Sequence, residues 1–273
     1  MNSGFAALAA AIVIGKRRGF LKEAMVPHNL TLTILGAGIL WFGWFGFNAG
    51  SALAANGLAA QAFIATNTAT GAAVLGWCLT DYLRRRKTTT LGAASGAVAG
   101  LVAITPAAGF VGPMGSIAIG LAAGIVCAWA VGLKYKAGYD DALDVVGVHA
   151  VGGMLGALLI GVFADTAFNE AGADGLLAGG GLALLGKQAV AVVATLAFSF
   201  LLSFGILKVV DLVVGLRVTE EEELSGLDIS QHEEVGYAFA EGVGSAAHVP
   251  VGAGAAAERS APSTVRVPQG DLG

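Results

Sequence analysis

The residue with the clearest capacity for chemistry is His149, within the apolar stretch DVVGVHAVGG (144–153). An ionisable side chain at membrane depth is costly unless it faces the protein interior or a polar pathway, so the default interpretation is functional. Burial favours the neutral imidazole, in which one nitrogen donates and the other accepts a hydrogen bond. Such a ring can bind a small polar solute or pass on a proton. The alternative is a structural histidine bonded to a neighbouring helix, although the surrounding glycines leave room for a pathway.

A second group of candidate residues lies in the stretch WFGWFGFNAGS (41–51). Trp44, Phe47 or Asn48, and Ser51 are three or four residues apart, so they share one face of a helix. Rings along a face can close a narrow path, and the face of a ring attracts a cation. The alternative is an aromatic belt at the membrane interface. A belt does not require Asn48 and Ser51, which a polar solute explains better.

The acids that precede His149 divide into two kinds. Asp140 and Asp141 come before the predicted helix, where acids interact favourably with the helix dipole, so a structural role leads for both. For Asp144, structural and functional roles stay equally open. Asp144 and His149 superficially suggest general-base chemistry, but their five-residue separation predicts roughly opposite sides of a helix. With no nucleophile motif, metal-ligand spacing or phosphate loop in the sequence, we expect no enzyme, metal or cofactor.

The composition determines the environment of these residues. The chain is 56% hydrophobic and 12% charged, with 42 glycines among its 273 residues and a mean hydropathy of +0.75, which indicates an all-α, polytopic membrane protein. A partial helix opens the chain at Phe5–Gly15. The six full transmembrane helices that we predict are Leu30–Gly50, Ala59–Leu83, Leu91–Phe110, Ser116–Leu133, Leu143–Ala164 and Gly186–Leu216. Thr105-Pro106 should kink or end the third of these.

Basic residues predict the orientation of these helices. They occur in the connections 16–22, 84–87 and 134–136. They are missing from the alternate connections, 51–58, 108–115 and 165–185. By the positive-inside rule, the first set is cytoplasmic. We therefore expect a multi-pass plasma-membrane protein with a transmembrane domain (1–216), a cytoplasmic regulatory segment (217–237) and a disordered tail (238–273).

Small residues at four-residue spacing predict close helix packing. The sets are Gly92, Gly96 and Gly100; Gly120 and Gly124; and Gly152 and Gly156. General packing within the chain is the leading interpretation of these sets, and a subunit interface is the alternative.

Taken together, the motifs closely resemble those of the ammonium transporter / Rhesus (Amt/Rh) family. The stretches that carry the resemblance are GWFGFNAGS (43–51), GAASG (92–96), TPAAG (105–109), DVVGVH (144–149), GLRV (215–218) and GLD (226–228), followed by His232 and Tyr237. They occur in order from Asn2 to about Tyr237.

The resemblance implies a homotrimer with a narrow apolar pore in each subunit, where ammonium is recruited, loses its proton and crosses as ammonia. By motif position, His149 matches the second pore histidine, Phe47 one ring of the outer gate, and Trp44 a pore-lining aromatic. Ser51 matches an outer recruitment residue, and Thr105 is expected to shape that site. Asp144 matches an acid near the cytoplasmic exit. These roles are implied by the family and not by spacing alone.

The resemblance covers the C-terminal two-thirds of a family member. A family member has eleven helices per subunit, and its first pore histidine precedes a stretch that resembles residues 1–4. We therefore expect an N-terminally truncated transporter, incomplete by itself, that acts in a lipid bilayer without nucleic acid. The alternative is a non-transporting protein for sensing or docking. In the family, a PII-type signalling protein docks on the cytoplasmic face, and here that face would include the segment up to Tyr237.

Overall fold

The computed structural model describes residues 1–237, which contain helices and connecting turns but no strand. The α-helices are α1 (Asn2–Ile14), α2 (Leu30–Ala49), α3 (Gly57–Arg85), α4 (Thr90–Ile104), α5 (Pro113–Ala130), α6 (Leu133–Ala137), α7 (Val151–Phe163), α8 (Ala183–Val213), α9 (Glu220–Ser225) and α10 (Leu227–His232). Short 3₁₀ turns cover Gly50–Ala52 and Leu176–Ala178, and a π-turn covers Val146–Ala150. The all-α prediction is confirmed, and the predicted disordered tail lies outside the described residues.

The chain divides into two units, 1–224 and 225–273. The first contains the apolar helices and all the candidate residues. Of the second, the structure describes helix α10 and the residues up to 237. The sequence boundaries proposed at 216 and 237 therefore stay predictions.

Local sequence signals explain where several helices begin and end. Asn29 caps α2, because its side chain accepts a hydrogen bond of 2.9 Å from the backbone N–H of Leu32. Thr89 caps α4 in the same way, with a bond of 3.0 Å from Gly92. Helix α4 ends at Ile104, as expected for a chain that continues into Thr105 and a proline.

Within residues 1–237, five segments are long and apolar enough to cross a membrane. They are Leu30–Ala52, Gly57–Arg85, Pro113–Ala137, Val146–Phe163 and Ala183–Val213. The apolar helices Asn2–Ile14 and Thr90–Ile104 are shorter. The predicted span Leu91–Phe110 is helical only to Ile104 because of the Pro106 break, so the predicted number of six full transmembrane helices is not confirmed.

The glycine sets pack helices of this one chain against each other. A Cβ atom added at Gly96 would lie 2.8 Å from the Cβ of Trp77, and one at Gly100 would lie 2.6 Å from the Cβ of Ala73, both on α3. Carbon atoms make optimal contact at about 3.5–4.0 Å, so only glycine allows α3 and α4 to come this close. Gly120 of α5 approaches the backbone of Ala69 on α3 in the same way. General packing, the leading interpretation of these spacings, accounts for both helix pairs.

The main core lies where α3, α4, α5 and α7 meet. Its fully buried residues include Ala69, Ala103, Ile104, Ile119 and Ala123. Small side chains on α3 and α5 match the short distance between these helices. Helices α2 and α8 lie outside this core, and within residues 1–237 most of their apolar surface is exposed.

Candidate functional site

His149 lies on the π-turn (Val146–Ala150) that leads directly into α7. The ring borders a cavity of about 580 Å³, which Thr33, Ala37 and Leu40 of α2 line from the opposite side. Among the described residues, the imidazole takes part in no hydrogen bond, so none of these residues bonds it as the structural alternative requires. Single π-turns inside α-helices occur frequently at functional sites.

Asp144 and His149 line the same cavity, which corrects the expectation that they lie on opposite sides of a helix. The expectation assumed that α-helical geometry continues from one residue to the other. Asp144 instead has a left-handed backbone (φ 58°), and the π-turn follows it. The two side chains can therefore face one space although five residues separate them.

A buried lysine, Lys134, forms an ion pair with Asp144. The Nζ atom of Lys134 lies 2.7 Å from Oδ1 of Asp144 and donates a 2.9 Å hydrogen bond to the carbonyl oxygen of Asp141. Burial raises the pKa of the Asp144 carboxyl, and the Lys134 ammonium opposes that rise. The carboxylate of Asp141 accepts bonds from the backbone N–H groups of Val145 (3.0 Å) and Val146 (2.7 Å). Its predicted role at the helix start is therefore structural, as the sequence indicates.

Asp140 makes a contact that sequence reasoning missed. Its carboxylate accepts three hydrogen bonds of 2.8 Å from Arg17: from the backbone N–H, from Nε and from Nη2. The Arg17 guanidinium holds the pKa of this carboxyl below its usual value, against the opposing effect of burial. The pair joins two connections that are 123 residues apart in sequence, and no local pattern could have identified it.

The aromatic face of α2 extends from the cavity toward the other end of the bundle. Thr33, Ala37 and Leu40 border the cavity, and the same face continues with Trp44 and Phe47 at helical spacing. The rings of Trp44 and Phe47 have centroids 5.5 Å apart and are tilted by 58°. Trp44 also packs against a buried apolar cluster that includes Val148, the neighbour of His149.

Two hydroxyl groups stand beside these rings. The Oγ1 atom of Thr105 accepts a 2.7 Å hydrogen bond from Nε1 of Trp44 and donates one of 2.7 Å to the carbonyl oxygen of Leu101. Ser51 donates a 2.6 Å bond to the carbonyl oxygen of Phe47. Thr105 therefore orients the indole ring, and the Ser51 oxygen retains its acceptor capacity.

Asn48 has a structural position, contrary to the expectation that it serves a polar solute. Its residue surface is only 7% exposed. Its Nδ2 donates a 2.9 Å hydrogen bond to Oγ1 of Thr66 on α3, and that hydroxyl donates in turn to the carbonyl oxygen of Ala62. Asn48 faces the neighbouring helix, whereas 62% of the Phe47 surface is exposed. The helical wheel left open which of the two residues lies on the Trp44 face, and the ring contact favours Phe47.

The described residues contain no group of three His, Cys, Asp or Glu side chains arranged to hold a metal ion. The acids near His149 bond to backbone amides, to Arg17 and to Lys134. What the site offers is a histidine that no side chain in the described part of the protein bonds, an open cavity and an aromatic face that leads away from it. This combination, in a bundle of apolar helices, defines a polytopic membrane protein with a candidate transport pathway.

Comparison with known proteins agrees with this class. The model of the Ammonium Transporter Family matches residues 1–237. An ammonium transporter of Bacillus subtilis is 54% identical over 238 residues, which cover 87% of this chain and 58% of that protein. An ammonium transporter of Mycobacterium bovis is 50% identical over 250 residues, which cover 90% of this chain and 52% of that protein. The chain belongs to the Ammonium Transporter Family.

The fold agrees with the same assignment. The crystal structure of Candida albicans Mep2 superimposes with a TM-score of 0.74 at 36% identity, over 81% of this chain and 51% of that one. The expected membership of the ammonium transporter family is confirmed, and these relatives are named as transporters and not as enzymes. The chain spans only between half and three-fifths of the length of these relatives.

Proposed function

We propose that this chain forms part of a pathway that conducts ammonium or ammonia across a membrane. The observation that carries the proposal is the position of His149, which borders an open cavity and has no hydrogen-bond partner among residues 1–237. The substrate follows from the family and from the relatives named ammonium transporters. A neutral imidazole suits this solute, because its acceptor nitrogen can bond an N–H group and its N–H can donate to a lone pair.

The residues along α2 have complementary roles in the proposal. The exposed ring of Phe47 and the ring of Trp44 attract the ammonium ion through cation–π interaction. The free acceptor capacity of Ser51 binds an N–H group of the ion. Thr105 acts through its hydrogen bond to Trp44. Ammonia, which carries no charge, then passes the apolar cluster that connects Trp44 with Val148 and reaches the cavity at His149.

Asp144 lies at the opposite end of this pathway in the proposal. Its carboxylate, held by Lys134, borders the cavity together with His149. By the positive-inside rule this end faces the cytoplasm and the segment 217–237 lies on the same side. Localisation in the plasma membrane and assembly as a homotrimer are part of the proposal, and the resemblance to the family supports both.

Uptake in lipid vesicles tests the proposal, with a chimera in which residues 1–237 replace the matching region of the Bacillus subtilis ammonium transporter. We expect the chimera to take up radiolabelled methylammonium above the level of empty vesicles. His149→Ala should lower the rate about tenfold or more, because a hydrogen bond to a charged or transferring group is lost. Arg84→Ala, in the connection after α3 and outside the cavity at His149, is the control and should leave the rate unchanged. A chimera with normal helical content and no uptake would overturn the proposal.

The alternative function, docking of a PII-type regulator without transport, has one supporting observation. The acidic helix α9 lies against the basic first connection: Glu223 accepts a 2.8 Å bond from the backbone N–H of Arg18 and also pairs with Arg217. These contacts form an ordered charged surface. Binding of a purified PII-type protein to vesicles that show no methylammonium uptake would favour this alternative.

A further inference from the structure

Lys134 is a lysine in an unusual position. It lies on the short helix α6, and its side chain is only 10% exposed. It borders both the cavity at His149 and a second cavity of about 740 Å³ on the other side of α6. A buried ammonium requires partners. Among the described residues, Lys134 pairs with the carboxylate of Asp144 and bonds the carbonyl oxygen of Asp141, and its Nζ lies 5.3 Å from the centroid of the Tyr135 ring.

Both partners belong to the turn that leads into the π-turn. Asp144 has a φ of 58°, a left-handed conformation that residues other than glycine adopt only at an energetic cost. Its carbonyl oxygen accepts a 2.9 Å hydrogen bond from the backbone N–H of Val148. Asp141 bonds the amides of Val145 and Val146 through its carboxylate. Lys134 therefore contacts both aspartates that fix the backbone immediately before His149.

The surrounding structure supports the π-turn on its other sides. A Cβ atom added at Gly147 would lie 2.8 Å from the Cα of Val131, so the π-turn packs directly on the end of α5. The Sγ of Cys127 lies 4.0 Å from the carbonyl oxygen of Val148. These contacts hold the π-turn on the side that faces α5. Within residues 1–237, Lys134 joins α6 to the left-handed turn at Asp144.

We propose that Lys134 is a positioning residue, whose ammonium clamps the 141–144 turn and thereby fixes the direction of the His149 ring into the cavity. The inference deepens the proposed function and rests on it only for the transport readout. Lys134 acts through Asp141 and Asp144 and does not itself contact the solute bound at His149. Its loss releases a conformation that the backbone does not favour by itself.

Hydrogen exchange on the full chain in lipid vesicles tests this inference without any transport. In Lys134→Gln, the amides of residues 145–148 should exchange about tenfold faster or more, since a charge-assisted contact that closes the turn is lost. Lys134→Arg keeps a charged donor and should restore most of the protection. Lys136→Gln, an exposed lysine on the same helix, is the matched control and should leave exchange unchanged. Exchange in α4 reports any global loss of stability.

The uptake assay then separates this inference from the proposed function. If the unaltered chimera takes up methylammonium, Lys134→Gln should lower the maximal rate about tenfold and leave the half-saturating concentration nearly unchanged, because Phe47 and Ser51, the proposed binding residues, do not border the cavity at the turn. If the unaltered chimera shows no uptake, the proposed function fails and hydrogen exchange still decides the role of Lys134. Unchanged exchange at 145–148, or an equal rise in α4, would overturn the inference.

Discussion

The close contact between α3 and α5 makes a sharp prediction for Gly120→Ala. A Cβ atom at this position would lie 2.8 Å from both the carbonyl carbon and the Cα of Ala69, and closer still to its carbonyl oxygen. These are backbone atoms of a fully buried residue, so no flexible side chain can move aside. The helices would have to separate by roughly 1 Å before the atoms reach ordinary contact.

The expected loss of stability follows from this separation. Inserting a methylene-sized group into a packed core costs about 1–3 kcal/mol, and the upper end applies because the obstruction is backbone. The better helix propensity of alanine offsets about 1 kcal/mol of this cost. Gly120→Ala should therefore destabilise the fold by ~1–2 kcal/mol. Gly71→Ala is the matched control on α3 itself, because a Cβ atom there meets nothing within 4 Å. It should be neutral or stabilising by up to ~1 kcal/mol.

Unfolding of the purified chain in mixed detergent micelles, followed by circular dichroism, measures both effects. Adding Gly124→Ala to Gly120→Ala gives a further check, since Gly124 contacts the backbone of Ala73 one turn along the same interface. Once the helices have separated for the first alanine, the second should cost clearly less than it does alone. Equal unfolding midpoints for Gly120→Ala and Gly71→Ala would refute the view that glycine sets this helix distance.

Three further predictions concern polar contacts between segments. The lowered pKa of Asp140 stabilises the fold above the ordinary carboxyl pKa of 3.8, an effect lost as the pH falls through the lowered value. Arg17→Met should thus cost ~1–2 kcal/mol at pH 7, discounted because Arg17 is 39% exposed, and progressively less as the pH falls below 3.8 in the same unfolding assay. Asn48→Ala loses the buried bond between α2 and α3 and should cost ~1–2 kcal/mol by micelle unfolding. Thr105→Val removes the acceptor of the indole N–H and should lower methylammonium uptake about fivefold, whereas Thr105→Ser should not; equal rates would remove Thr105 from the pathway.

The sequence predicts the helices well because their signals are strong and local. Asn29 caps α2 directly before the first helical residue, and α4 ends at Ile104, directly before Thr105-Pro106. The last long helix is predicted at Gly186–Leu216, whereas in the structure it runs from Ala183 to Val213. Hydropathy shows that a segment is apolar but not at which residue its helix ends. Gly215, with a φ of 83°, follows the last helical turn and marks that end. That signal was readable in the sequence.

Contacts between distant segments escape sequence reasoning for a physical reason. Hydropathy gives the depth of a residue in the bundle, and periodicity gives its helix face, but neither identifies the partner of a charge. From the sequence, Arg17 is only one of the positive charges that orient the helices in the membrane, and Asp140 is only an acid before a helix. In the structure each is the main polar partner of the other. Asn48 was misread because a buried amide that bridges two helices has the same local pattern as one that faces a solute.

The wrong prediction that Asp144 and His149 lie on opposite sides of a helix shows where rules based on helix periodicity fail. Counting five residues along an α-helix separates the two side chains, but a left-handed residue followed by a π-turn brings them to one cavity. A continuous α-helix would have satisfied the backbone at lower cost, so the irregular backbone has to be held by contacts from outside it. Lys134 and the close approach of Gly147 to Val131 supply such contacts. Local rules are expected to fail where function imposes an unfavourable conformation. The failure at this turn is therefore an independent reason to regard His149 as the centre of the site.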